Sequence, residues 1–277
     1  MKTVLEVLQA TSGYFAKAGL ESPRLNIELL LAHVLGKKRM DLYMEFDRPL
    51  AEKELEPLRD LVKRRAQGEP IQHLLGTVEF LGRVFRSDKR ALIPRPETEQ
   101  LAEHLVKSLT PPPGRVLDVG TGSGVLALTL AGEWPAAEVH AVDISEPALA
   151  LAKENAVALG LAERVTFHLG NLLEPVTGLF GLIVANLPYV PSGDIPGLSK
   201  EVQHDPVLAL DCGPDGADLV RELVAGARPL LKGRLALEIG HAQSEGLAHE
   251  LQAAGYRDIE PSSDYQGRNR FLFASYG

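Results

Sequence analysis

The run Asp118-Val119-Gly120-Thr121-Gly122-Ser123-Gly124 carries the densest chemical signal in the chain. Its alternating glycines let a backbone turn tightly and approach a ligand closely. The spacing is G-x-G-x-G, and the position that a dinucleotide-binding G-x-G-x-x-G loop would need is Val125. A strand candidate precedes the loop and an apolar helical run, VLALTLA, follows it. About 20 residues on, a second strand candidate, EVHAVD, ends in Asp143. A carboxylate there can accept hydrogen bonds from both hydroxyls of a ribose. Singly these features are a tight turn and a surface aspartate; in this order they indicate a nucleoside-containing cofactor.

The D-x-G-x-G-x-G loop with its strand-end acid resembles motif I and its successor in class I S-adenosylmethionine-dependent methyltransferases. That resemblance implies that Asp118, Gly120, Thr121, Gly122, Ser123 and Gly124 hold the methionine part of the cofactor, and that Asp143 holds its ribose. Asn171 and Leu172 fall where that family touches the adenine, often through an aspartate. A simple turn after a strand is the competing reading for Asn171. The fourth strand candidate, GLIVAN, ends in Asn186-Leu187-Pro188-Tyr189. This run resembles the Asn-Pro-Pro-Tyr signature of methyltransferases acting on planar nitrogens, and it places Asn186 beside the cofactor as well as the substrate. The lone pair of such a nitrogen is delocalised, so it is a poor nucleophile. Two acceptors aimed at its N–H bonds orient it and localise density on it. The Asn186 side-chain carbonyl can be one and the Leu187 backbone carbonyl the other, while Tyr189 offers a face for a flat group. Leu187 departs from the signature but keeps the carbonyl, and Pro188 biases it toward an extended backbone. No catalytic base is evident, and none need be present, because the methylated amide nitrogen becomes acidic as it bonds carbon and can lose its proton to water.

Residues 71–99, IQHLLGTVEFLGRVFRSDKRALIPRPETE, narrow the choice of nitrogen. They resemble the segment preceding the catalytic domain in the family that methylates the glutamine of the Gly-Gly-Gln motif in bacterial class-1 peptide chain release factors. The run Leu92–Glu99 is the most specific piece. The likeness continues through Pro206–Gly216, through LEIGHAQ at 237–243 and through DYQGRNRF at 264–271. It implies methyl transfer to the side-chain amide nitrogen (N5) of that glutamine, with class-1 release factors as protein partners. Arg95 could position a carboxylate or a backbone carbonyl of the substrate, whereas Glu97 and Glu99 read as first-turn helix acids. Cys212 stands where that family usually has glycine. The alternatives are a glutamine methyltransferase for a ribosomal protein, an adenine or guanine amino-group nucleic-acid methyltransferase, or a nucleotide-binding module without activity. The last would leave Asn186–Tyr189 without a purpose.

Composition bounds these readings. The chain has 277 residues, 45% hydrophobic and 24% charged, with a net charge of −8. Dedicated nucleic-acid binders usually carry a basic excess, so the balance disfavours a direct nucleic-acid substrate and suits a basic partner. A single cysteine, Cys212, permits neither an internal disulfide nor a cysteine-based metal site, so no metal is expected. Glu6 interrupts any signal-peptide apolar core, and no run approaches a membrane span. The expectation is a cytoplasmic monomer with no membrane association.

These residues need a scaffold. The pattern predicts an α/β chain: a Rossmann-like sheet with helices on both faces, preceded by a small N-terminal helical bundle and a β-hairpin linker. Apolar residues at helical spacing fill 4–15, 23–35 and 51–67, with Pro23 opening and Gly36 closing the second run. Around Leu81-Gly82-Arg83, residues 78–88 read as a hairpin. Strands are expected at 115–119, 138–142, 164–169, 179–185 and 234–239, with helices between them and two late strands near 256–261 and 269–274. Alternating strands and helices predict a parallel sheet covered on both faces, with ligands at the strands' carboxyl ends. The expected domains are 1–75, a helical substrate-docking unit; 76–95, the connector; and 96–277, the catalytic domain.

Overall fold

A computed structural model describes residues 2–277. The chain divides into two compact units, Met1–Thr77 with Ser199–His204, and Val78–Leu198 with Asp205–Gly277. In the first unit the helices are α1 (Val4–Lys17), α2 (Pro23–Leu35), α3 (Glu52–Ala66) and α4 (Ile71–Leu75), with a 3-10 turn at Arg39–Met44. Glu6 belongs to a capping box: Thr3 Oγ1 accepts from the Glu6 N–H, and the Glu6 carboxylate accepts from the Thr3 N–H. The apolar stripes of these helices meet in one core that includes Leu8, Phe15, Ile27, Leu30, Leu31 and Leu58. The short return segment Ser199–His204 belongs to this unit because Glu201 pairs with the buried Arg65, which also holds Asn26 Oδ1 at 2.6 Å.

In the second unit, β1 (Thr77–Phe80) and β2 (Arg83–Arg86) form the hairpin across Leu81-Gly82, both at positive φ. Phe80 and Phe85 pack edge to face in the core. The elements α5 (Pro96–Ser108), β3 (Arg115–Val119), α6 (Val125–Glu133), β4 (Glu138–Asp143), α7 (Glu146–Ala158) and β5 (Val165–Leu169) follow. Then come β6 (Phe180–Asn186), α8 (Asp218–Ala227), β7 (Leu231–Glu238), α9 (Ser244–Ala253), β8 (Arg257–Ser263) and β9 (Asn269–Tyr276). The sheet order is β5-β4-β3-β6-β7-β9-β8. Strand residues alternate between two cores: Leu182 and Val184 of β6 join one with α5 and α6, while Ile183 and Ala185 join the other with α8 and α9. Both faces are therefore covered, and the central strands β3 and β6 are buried along most of their length. The predicted all-parallel sheet holds for β3 to β7 only. After α9 the chain forms a β8–β9 hairpin, and β9 inserts antiparallel between β7 and β8. The chain winds outward from β3 in both directions, so the crevice above the carboxyl ends of β3, β4 and β6 is the natural ligand position. No helix among the described residues is long and apolar enough to cross a membrane.

Candidate active site

That crevice is a cleft of about 180 Å³. Gly120, Thr121, Gly122, Ser123, Asp143, Asn171, Leu172, Asn186, Leu187 and Pro188 line it, together with Thr98 and Leu92 of the segment before α5 and its first turn. Asp118, Gly124, Tyr189 and Arg95 stand behind this wall, and each supports it from there.

Gly120, Gly122 and Gly124 have φ of 73°, 57° and 85°. The conformation folds the loop back so that the Gly120 and Thr121 N–H groups both donate to Val142 O at 2.9 Å. A Cβ on Gly120 would lie 2.8 Å from Leu187 Cδ2, so Leu187, buried against the loop, occupies space that only glycine leaves. Asp118 is fully buried; its Oδ2 accepts from Thr121 Oγ1 at 2.6 Å and from the Ala127 N–H at 3.1 Å, tying the loop to α6. Its Oδ1 has no hydrogen-bond partner among the described residues. Burial pushes its carboxyl up to about 7, against those two hydrogen bonds.

Asp143 Oδ2 accepts from the Gly122 N–H and Oδ1 from the Ser145 N–H, both at 2.8 Å. A carboxylate has about four acceptor sites, so the two that remain suit the vicinal hydroxyls of a ribose. Asn171 Nδ2 donates to Glu222 Oε1 at 3.3 Å, which orients its carbonyl as the acceptor end. Leu172 is held at φ 44° and forms an apolar wall.

The Asn186–Tyr189 run leaves the end of β6. Asn186 Nδ2 donates to Thr98 Oγ1 at 2.9 Å, and Thr98 Oγ1 donates to Glu238 Oε2 at 2.7 Å. Asn186 and Glu238 are direct neighbours in the β6–β7 register. Arg270 donates to the Tyr189 hydroxyl at 2.7 Å and covers that ring, its guanidinium carbon 4.9 Å from the centroid. One face of Tyr189 is thus taken by Arg270. Arg95 does hold a carboxylate, that of Asp205 in its own chain, and Asp205 also accepts from the Ile93 N–H at 3.1 Å. Glu99 accepts from the Leu81 N–H at 2.7 Å, and Glu97 pairs with Arg268, so both first-turn acids brace α5. Cys212 is buried and its sulfur accepts from the Leu219 N–H, and burial raises its thiol. It is a packed residue rather than a nucleophile.

Residue type and spacing do not single out Thr98, Glu238 and Arg270 as site residues. Each lies inside a run that carries the family likeness (92–99, 237–243 and 264–271), but which side chains of those runs meet depends on strand register.

Comparison with known proteins agrees with this geometry. Residues 6–76 match the family model described as the PrmC N-terminal domain, and residues 96–199 match the methyltransferase small domain. A release factor glutamine methyltransferase from Chlorobaculum tepidum is 39% identical over 98% of this chain and 96% of its own length. One from Deinococcus radiodurans is 43% identical over 97% of both chains. The structure of a ribosomal protein L11 methylase from Lactobacillus delbrueckii subsp. bulgaricus superposes with a TM-score of 0.51 at 24% identity. That superposition covers 69% of this chain and 83% of the other, and it shows the shared fold. A glycine loop braced by a buried aspartate, an acid at the next strand end and an asparagine platform thus sit in a sequence aligned end to end with these relatives, and the chain belongs to the release factor glutamine methyltransferase family.

Proposed function

We propose that this enzyme transfers a methyl group from S-adenosylmethionine to the side-chain amide nitrogen of the glutamine in the Gly-Gly-Gln motif of class-1 peptide chain release factors. The observation that carries this reading is the Asn186 carboxamide, anchored through its nitrogen on Thr98 at the lip of the cleft. S-adenosylmethionine supplies, when bound, a methyl group on a positively charged sulfur. The loop backbone at Gly120–Ser123 would hold its methionine part, Asp143 its ribose, and Asn171 with Leu172 its adenine. Asn186 Oδ1 and the Leu187 carbonyl accept the two N–H bonds of the substrate amide and aim its nitrogen into the cleft. Pro188 fixes the turn, and Tyr189, held by Arg270, backs the platform from behind the cleft wall. Fixing both partners in line is a proximity effect worth up to roughly 7–11 kcal/mol. The nitrogen becomes acidic as it gains carbon, and its proton passes to water.

The first unit docks the protein substrate; its support is an exposed apolar surface at Met40, Tyr43 and Met44. Methionines adapt well to a partner's contour. The net charge of −8 favours a protein with a basic face over a nucleic acid, and the enzyme acts as a cytoplasmic monomer. The test is incubation with labelled S-adenosylmethionine and a release factor, its Gln→Ala variant, duplex DNA or ribosomal RNA. Label on the intact factor alone is expected. Label on DNA, or undiminished label on the Gln→Ala factor, defeats the reading.

A further inference from the structure

A carboxamide has two nearly isosteric orientations, and only one presents an acceptor to the substrate. Turned the wrong way, Asn186 would set an NH2 group against the substrate's own N–H bonds. Something must choose between the two, and the choice is built into three side chains of the second unit. Glu238 is 1% exposed and neighbours Asn186 across the β6–β7 register. Thr98, 3% exposed, is contributed by the first turn of α5 and bonds to both of them.

We propose that Glu238 and Thr98 form a one-directional hydrogen-bond relay that selects the catalytic orientation of the Asn186 carboxamide. An ionised carboxylate can only accept, so the single Thr98 hydroxyl proton is committed to Glu238 Oε2 at 2.7 Å. The Thr98 oxygen then has only lone pairs for Asn186, 2.9 Å away. Only the nitrogen end of the carboxamide can meet it, and the carbonyl is left for the cleft that Asn186 lines. The same carboxylate serves the other end of the run. Glu238 Oε1 lies 3.7 Å from Arg270, whose guanidinium holds the Tyr189 hydroxyl at 2.7 Å. Oε1 has no hydrogen-bond partner among the described residues, so Arg270 is shared rather than captured. Thr98 and Glu238 are positioning residues: they act through Asn186 and Tyr189.

The proposal rests on the reading that Asn186 accepts from the substrate amide, and the test separates the two. Thr98→Val, Thr98→Ser and Asn186→Ala are assayed as full-length enzymes on a release factor, with cofactor affinity from calorimetry and folding from thermal melts. Thr98→Val is expected to lower kcat about 10–100-fold, the scale of a small misplacement at a reacting centre. Its affinity for S-adenosylmethionine stays unchanged, and Thr98→Ser, which keeps the hydroxyl, restores most of the rate. Wild-type kcat in Thr98→Val beside an inactive Asn186→Ala overturns the relay alone. So does a Thr98→Ser as impaired as Thr98→Val. Wild-type kcat in Asn186→Ala overturns the underlying reading. If Thr98→Val does not fold, Glu238→Gln takes its place: a similar loss of kcat supports the relay, and wild-type kcat refutes it.

Discussion

Glu28 in the first unit and Glu238 in the second are buried to the same degree, 1% exposed each, and their surroundings differ sharply. Arg24 donates to Glu28 Oε1 at 2.5 Å, Tyr43 donates to the same oxygen at 2.7 Å, and Arg39 donates to Oε2 at 3.3 Å. Burial works against the Glu28 charge, but the bonds from Arg24 and Tyr43 outweigh it and hold the carboxyl below its usual range. Glu238 has one close donor, Thr98, and a more distant cation, Arg270; burial dominates and pushes it up to about 7. A buried charge that serves the fold alone is surrounded until it is satisfied. One that must orient a neighbour is left partly unsatisfied, and the fold carries that cost.

Glycines draw the same contrast, and they give the largest expected effect. Gly36 closes α2 at φ 62°, and a methyl group there would meet nothing within 4 Å. A methyl on Gly120, at φ 73°, meets Leu187 Cδ2 at 2.8 Å. Gly36→Ala should cost roughly 1–2 kcal/mol of stability, the penalty of a left-handed alanine, and leave methyl transfer intact. Gly120→Ala adds a collision between the cofactor loop and the platform, and kcat/KM should fall by about 100-fold or more. Melts and steady-state kinetics on both variants decide this. Equal kinetic effects would remove the distinction between the two units.

A pH series on Glu238→Gln sharpens the comparison next. The groups facing Glu238 are Arg95 at the N-cap of α5, Glu97 and Thr98 within α5, Tyr189 beyond β6 and Arg270 from β9. Its folded carboxyl, near 7, lies above its unfolded value of 4.5, so between these the folded state binds the extra proton. Its stabilising contribution is complete below about 4.5 and is lost as pH rises through about 7. Glu238→Gln removes that loss and should melt higher than wild type at about pH 8, while kcat drops about tenfold or more. The wild-type rate should decline as pH falls through about 7, because a protonated Glu238 can donate to Thr98 and release the carboxamide. In the variant that limb becomes shallower by one proton; the limb from Asp118, also near 7, persists. A variant with unchanged kcat and an unchanged pH profile would place Glu238 with Glu28 as a purely structural charge.

Much of this is legible in the chain itself. Strand parity alone puts Asn186 with Leu182 and Val184 on one face of the sheet; folding decides that α5 covers it. The glycine loop and the strand-end Asp143 announce themselves by residue type and spacing. What the sequence does not contain is register: nothing local says that Asn186 stands beside Glu238, that β9 inserts antiparallel next to β7, or that Arg270 reaches Tyr189. Arg95 shows the limit from the other side. Its guanidinium predicts carboxylate binding, and it does bind one, but the partner, Asp205, lies 110 residues away and is supplied by folding.

Glu28→Gln gives the smallest expected effect and tests the other half of the comparison. Arg24 and Arg39 are 41% and 43% exposed, so solvent screens both pairs, and their loss should cost only about 1 kcal/mol. For a chain of this size that is a shift in Tm of about 2–4 °C. The sign follows from a carboxyl held below its ordinary value: the contribution is fully present above pH 4.5 and disappears as pH falls through the folded value. The gap between wild type and variant should therefore be full at about pH 7 and close in acid, opposite to the trend for Glu238→Gln. Transfer rates should match wild type at every pH where both are folded. A loss of kcat in Glu28→Gln, or a gap that widens in acid, would mean that the first unit also couples a buried charge to the chemistry.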